Sequence, residues 1–174
     1  MARSRWFLVV ALGCAHPAKP AAPATPATGD SVAPAVITPP CATYEFYALS
    51  LTSFPSETGT HDAFYAADSA ARAHYERGAS AGEAHHYGEA AAEFLACGEA
   101  YRAVPDGDLG VATAIKNAQL CYKNSIFAYA NAGLLQRRGQ QQLELAASDD
   151  RRAGDYIRAE LAKAPVECPA SPDL

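Results

Sequence analysis

The chain has 174 residues, 49% of them hydrophobic and 19% charged, with a formal net charge of −5. This length holds one domain and a tail, not two full domains. The acidic balance excludes broad binding to nucleic acid or to an anionic membrane face, since both need a positive field. Alanine supplies 40 residues and aromatics 16, so any core must be small and built around a few rings.

The first fourteen residues, MARSRWFLVVALGC, place Arg3 and Arg5 ahead of the apolar run 6–12. A short apolar stretch behind two arginines reads as an export signal, and it is shorter than the roughly 17 residues a spanning helix needs. The end of the run, VALGC, resembles a bacterial lipoprotein signal. That resemblance implies removal of the signal peptide 1–13 and a lipid on Cys14. Ala15, standing where Asp would retain such a protein at the inner membrane, implies the outer membrane. The mature chain would hold 12 basic and 19 acidic residues, a charge of −7. Residues 14–40 form a linker. From Ala15 onward it packs eight Ala and seven Pro into 26 residues. Proline at 17, 20, 23 and 26 excludes helix and favours an extended, polyproline-like tether.

Residues 41–168 read as one all-α domain, followed by a tail at 169–174. Eight of the twelve prolines lie at or before Pro55, three at or after Pro165, and only Pro105 between. A stretch so free of breakers and so rich in Ala, Leu, Glu, Gln and Arg favours helix. No window alternates apolar and polar residues as a strand would. Residues 41–56, with Tyr44, Phe46, Tyr47 and Phe54, are expected to pack as an irregular or short helical strap. A first helix is expected over 61–79, capped by Thr60, with Asp62 in its first turn and Phe64, Ala67, Ala71, Tyr75 and Gly78 on one face. A second is expected over 85–104, its stripe Ala90, Phe94, Cys97 and Tyr101. The turn PDGD at 105–108 leads into a third, starting near Leu109, with a break near Asn124 or Gly133. Gly139 interrupts again before a piece containing Leu143 and Leu145. The last helix opens with Ser148 as cap and Asp149 and Asp150 in its first turn. It turns Ala153, Tyr156, Ile157 and Leu161 inward and stops before Pro165.

Residues 74–105, HYERGASAGEAHHYGEAAAEFLACGEAYRAVP, resemble a tetratricopeptide repeat. The family's aromatic, small and terminal positions fall on Tyr75, Gly78, Tyr87, Ala90, Phe94, Cys97 and Pro105. Weaker echoes follow at 114–122 and 129–140. The resemblance implies a small array of helical hairpins in which small residues let helix axes approach and rings fill the remaining space. An unrelated bundle of four to five helices is the alternative. So few repeats imply a capped array or one completed by a partner. The partner surface is expected on the first-helix side of each hairpin, with Glu83, Lys116 and Asn117 as binding residues and Tyr87 and Phe94 in the core.

Chemistry is sparse. If Cys14 carries lipid, Cys41, Cys97, Cys121 and Cys168 remain, an even number that suggests disulfides in an exported protein. Three pairings are open. Cys41–Cys168 would staple the ends of the domain and Cys97–Cys121 would join consecutive helices; packing in place of alanine is the plain alternative for the latter pair. His85 and His86 are adjacent, so on a helix they diverge by about 100° and make no i, i+4 metal pair. Glu83 or Glu89 could join them at a surface site, but such a pair is more often a solvated helix start. Glu89 and Glu93 share a face, as acidic pairs on helices commonly do. None of the hydrolase, zinc-protease, phosphate-loop or dinucleotide motifs occurs, so neither an enzyme nor a cofactor nor a metal is expected. Residues 57–108 carry ten acidic and three basic residues, whereas 109–163 carry eight basic and five acidic, a polarity suited to a partner or to self-association. The leading expectation is therefore a lipid-anchored envelope protein whose helical domain binds protein or peptide. A disulfide-stapled structural lipoprotein without a groove, or a metal binder, are the alternatives.

Overall fold

The computed structural model describes residues 43–50, 60–163 and 165–169. The signal segment, Cys14, the tether, Cys41 and the tail beyond 169 lie outside them. The described chain is all-helical and holds no strand. Its helices are α1 (Asp62–Glu83), α2 (Tyr87–Arg102), α3 (Val111–Asn131), α4 (Gln140–Asp149) and α5 (Gly154–Ala162), with one π-helical turn, Leu135–Gly139, leading into α4. None of these helices is long and apolar enough to cross a membrane.

Helix ends follow local chemistry, though not always at the expected residue. Thr60 does not cap α1; its N-cap is His61, with no side-chain cap bond. The buried Asp108 carboxylate accepts from Phe64 N–H at 3.2 Å and from Gly110 N–H at 2.7 Å, so one anion serves the starts of α1 and α3. α1 runs one turn beyond the expected Ala79, because nothing in that turn breaks it. It closes when His85 takes φ 61 and the N–H groups of His85 and His86 reach back to Gly82 and Ala81 carbonyls. His85 and His86 thus sit in the turn before α2, not on the helix. α3 closes the same way at Gly133, φ 65, where glycine accepts the left-handed conformation without a steric penalty. Of the two expected breaks, Gly133 is the break and Asn124 lies in mid-helix. Ser148 is also not a cap: it lies inside α4 and donates to Glu144 C=O at 2.9 Å. Asp150 does that work, its Oδ1 accepting from Arg152 N–H at 3.1 Å and Ala153 N–H at 3.2 Å.

Side-chain pairings show α1 and α2 antiparallel, since Gly78 meets Phe94 while Asp68 meets Tyr101. α2 and α3 are antiparallel too: Gly98 meets Tyr122, Asn117 meets Tyr101, and Ser125 donates to Ala91 C=O at 2.8 Å. The expected stripe of α2 is the seam, with Ala90, Phe94, Cys97 and Tyr101 all fully buried. Tyr122, Ile126, Leu143 and Ile157 complete the large core side chains, whereas Leu145 is 60% exposed. Alanine and glycine let the axes approach, and rings fill what is left. A Cβ on Gly98 would come within 2.6 Å of the Tyr122 ring. Cys97 and Cys121 are disulfide-bonded across this seam with Cα atoms 5.8 Å apart. Closing a segment of 24 residues in this way stabilises by about 3 kcal/mol in the chain-entropy model. Cys168 is buried and also disulfide-bonded.

Candidate binding groove

Because α1 and α3 are each antiparallel to α2, they run the same way. Residues 43–50, which adopt no regular secondary structure, lie against α3 in an extended course. Asn131 Oδ1 accepts from Tyr44 N–H at 2.8 Å while its Nδ2 donates to Tyr44 C=O at 3.0 Å. Asn124 does the same with Tyr47, at 2.7 and 2.8 Å. Asn117 does the same with Ser50, at 3.0 and 3.4 Å. Side-chain amides spaced by seven thus each grip both main-chain groups of strap residues spaced by three.

The spacing has a geometric cause. Seven helical residues advance about 10.5 Å and return to nearly the same face, drifting by about 20°. Three extended residues advance about 10 Å. The two repeats match only if the strap is nearly straight, and the order of pairing makes it antiparallel to α3. The three rungs use every asparagine in the chain. Asn117 and Asn124 are fully buried and Asn131 nearly so.

Side chains add contacts between the rungs. Phe46 packs on Phe94 in a tilted arrangement with ring centroids 4.8 Å apart, and Phe94 meets Tyr75 at 5.6 Å. Gly82 leaves the space for this ring, since a Cβ there would overlap Phe46. Leu49 is the one buried side chain among the described residues of the strap. Tyr44 stacks on Phe127 at 4.8 Å, and its hydroxyl accepts from Val166 N–H at 2.8 Å. Lys123 Nζ stands 4.4 Å above the Tyr47 ring and 3.6 Å from Glu160 of α5. Nearby, burial pushes the Tyr156 phenol up to about 12.

The Ser50 end is tied to a polar cluster. Arg72 of α1 reaches Ser50 C=O at 3.5 Å and pairs with Asp68 at 2.6 Å. Asp68 accepts from Tyr101 O–H at 2.5 Å, and Tyr101 Oη accepts from Asn117 Nδ2 at 3.2 Å. Burial, then the bond to Asp68, raise the Tyr101 phenol far above its usual range. The bond to Asp68 likewise raises Arg72. Three helices and the strap meet there without an unpaired polar group.

The residues expected to bind a partner do not form one surface. Asn117, expected to be exposed, is buried because its amide is committed to Ser50 and Tyr101. Lys116 is its exposed neighbour, turned about 100° away. Glu83 is exposed at the far end of α1, fifteen residues beyond the Asp68 level at which Asn117 sits, or about 22 Å along the axis. Phe94 is core, whereas Tyr87 is only half-buried and bonds His85 Nδ1 at 2.8 Å. Glu93 is taken by His74 and Arg77, at 2.8 and 3.0 Å, and the Arg77 bond holds its carboxyl below the usual range. Among the described residues no cluster of His, Cys, Asp and Glu is arranged for a metal ion. Asn124 and Asn131 escaped the sequence reading; the signal that marks them is one amide residue recurring every seven positions on an apolar helix. No protein-family model, curated protein or solved structure matches the chain.

Proposed function

We propose that this is a lipid-anchored envelope protein whose helical domain, a short tetratricopeptide-like array, binds an extended segment of protein or peptide along α3. One observation carries the reading. Asn117, Asn124 and Asn131 present donor and acceptor together at the repeat of an extended chain, and they grip only its main chain. A surface that reads main-chain groups accepts many sequences, as β-augmentation and related peptide-binding modes do. Parallel α1 and α3, the glycine-to-ring packing of Gly78 on Phe94, and the placement of the strap against first helices of hairpins support the array reading.

A second reading has its own support: the groove holds the chain's own strap, so the ladder could serve solely to fasten the tether to the domain as a structural staple. Side-chain amide NMR signals of Asn117, Asn124 and Asn131 separate the two. Titration of the mature chain with a library of extended peptides should shift these signals together if the groove exchanges occupants. Signals that stay fixed across the library favour the staple. For the anchor, a fatty-acid analogue should label cells expressing the wild type and spare Cys14→Ser; equal labelling rejects lipidation.

A further inference from the structure

The groove is general along the main chain but selective at two places. Gly82 opens α1 for an aromatic ring, which packs on Phe94 beside Tyr75. Three residues on, Leu49 is buried. The other strap side chains do not enter in this way: Thr43, Glu45, Tyr47 and Ala48 are exposed, Ser50 is half-buried, and Tyr44 lies half-buried against Phe127 on α3. Rungs at 44, 47 and 50 and seats at 46 and 49 therefore form one register, with an aromatic seat two residues after the first rung and an aliphatic seat three residues later.

Resting on the groove reading above, we propose that the external ligand is an extended peptide with an aromatic residue and, three positions on, an aliphatic residue, and that the strap is its resident competitor. Such a segment would take the same three rungs, run antiparallel to α3, and place its ring against Gly82 and Phe94. Bonds surrendered by the strap's main chain are re-formed by the ligand's, so the two differ chiefly in what fills the seats. Glu45 is exposed, so the ligand's residue at that position is weakly selected.

The test uses the mature chain with Cys14→Ser and a fluorescent peptide TYEFYALS, the strap's own sequence. Phe46→Ser with Leu49→Ser in the chain empties both seats and leaves the groove intact. This chain should bind the peptide roughly tenfold or more tighter than the chain with an unaltered strap. A peptide with serine at both seat positions should bind roughly tenfold or more weakly. Adding Gly82→Ala to the strap-weakened chain should abolish tight binding while circular dichroism stays helical. Equal binding of the two peptides overturns the seat selectivity but leaves the groove reading standing. Binding of neither peptide to a folded strap-weakened chain overturns both. A second arm needs no strap variant: excess TYEFYALS added to the unaltered strap must speed hydrogen exchange at the amides of residues 44, 47 and 50, and unchanged exchange there overturns the competitor role.

Discussion

Asn124→Ala removes the middle rung and leaves the helix its best former. Two bonds vanish, those with Tyr47 N–H at 2.7 Å and Tyr47 C=O at 2.8 Å. At about 1 kcal/mol each, they account for about 2 kcal/mol. The side chain is fully buried, so the void left behind adds about 1 kcal/mol, partly offset by alanine's higher helix propensity. The net loss should be about 2–3 kcal/mol, or about 6–12 °C in melting temperature for a domain of this size. The loss has a ceiling: once it exceeds the strap's docking free energy, the strap leaves and water satisfies Tyr47. Hydrogen exchange should therefore show the amides of residues 44, 47 and 50 deprotected together while the α2–α3 seam stays protected. Lys116→Glu, exposed one residue from a rung, should change stability by no more than about 0.5 kcal/mol. Unchanged melting of Asn124→Ala, or deprotection confined to residue 47, would refute the account of the ladder as one cooperative clasp.

Phe94→Ala empties the fully buried centre of the α1–α2 seam and removes the support of Phe46, and should cost about 3–5 kcal/mol in a chemical denaturation experiment. Replacing Cys97 and Cys121 together by alanine should lower stability by about 3 kcal/mol, and the oxidised wild type should lose more than that when reduced, because the disulfide of Cys168 breaks as well. Tyr101 and Tyr122 should resist ionisation, since burial raises both phenols well above their usual value. The folded form keeps these protons where the unfolded chain loses them, so their contribution is complete below about pH 10 and is lost as pH rises beyond it. Phenolate absorbance should then lag in the native state and rise with a cooperative alkaline transition. Smooth titration of all nine tyrosines at ordinary values would contradict the burial of this pair.

What was legible in the sequence was whatever depends on near neighbours. The scarcity of proline between Pro55 and Pro165 announced helices, whereas the break in the third helix stayed open between Asn124 and Gly133 until the backbone showed φ 65 at the glycine. The stripe of α2 was legible because burial recurs at helical spacing. Ser148 misled because a hydroxyl before two aspartates fits a cap as well as a mid-helix position bonded to its own preceding turn. The ladder was hidden for a different reason. Its partners lie 67, 77 and 87 residues apart along the chain, and residues 43–50 have no regular structure to give them a period. Asn117 looked like a surface residue because an amide is polar, and only the arrival of Ser50 makes its burial tolerable.

The antiparallel course of the strap fixes the order in which it could be pulled away. Its first residue meets the last turn of α3 at Asn131, and Cys168 N–H closes on Ala130 C=O beside it. With the disulfide of Cys168 reduced, tension arriving from the N-terminal side of the strap loads the Asn131 rung first, then Asn124, and only then Asn117. Under such a load the rungs open one after another, in the manner of a zip. The last to yield is also the one braced by Arg72, Asp68 and Tyr101 from two other helices. A tug from that side of the reduced chain would lengthen it by a few residues at a time and reach the helices only after the third clasp had opened.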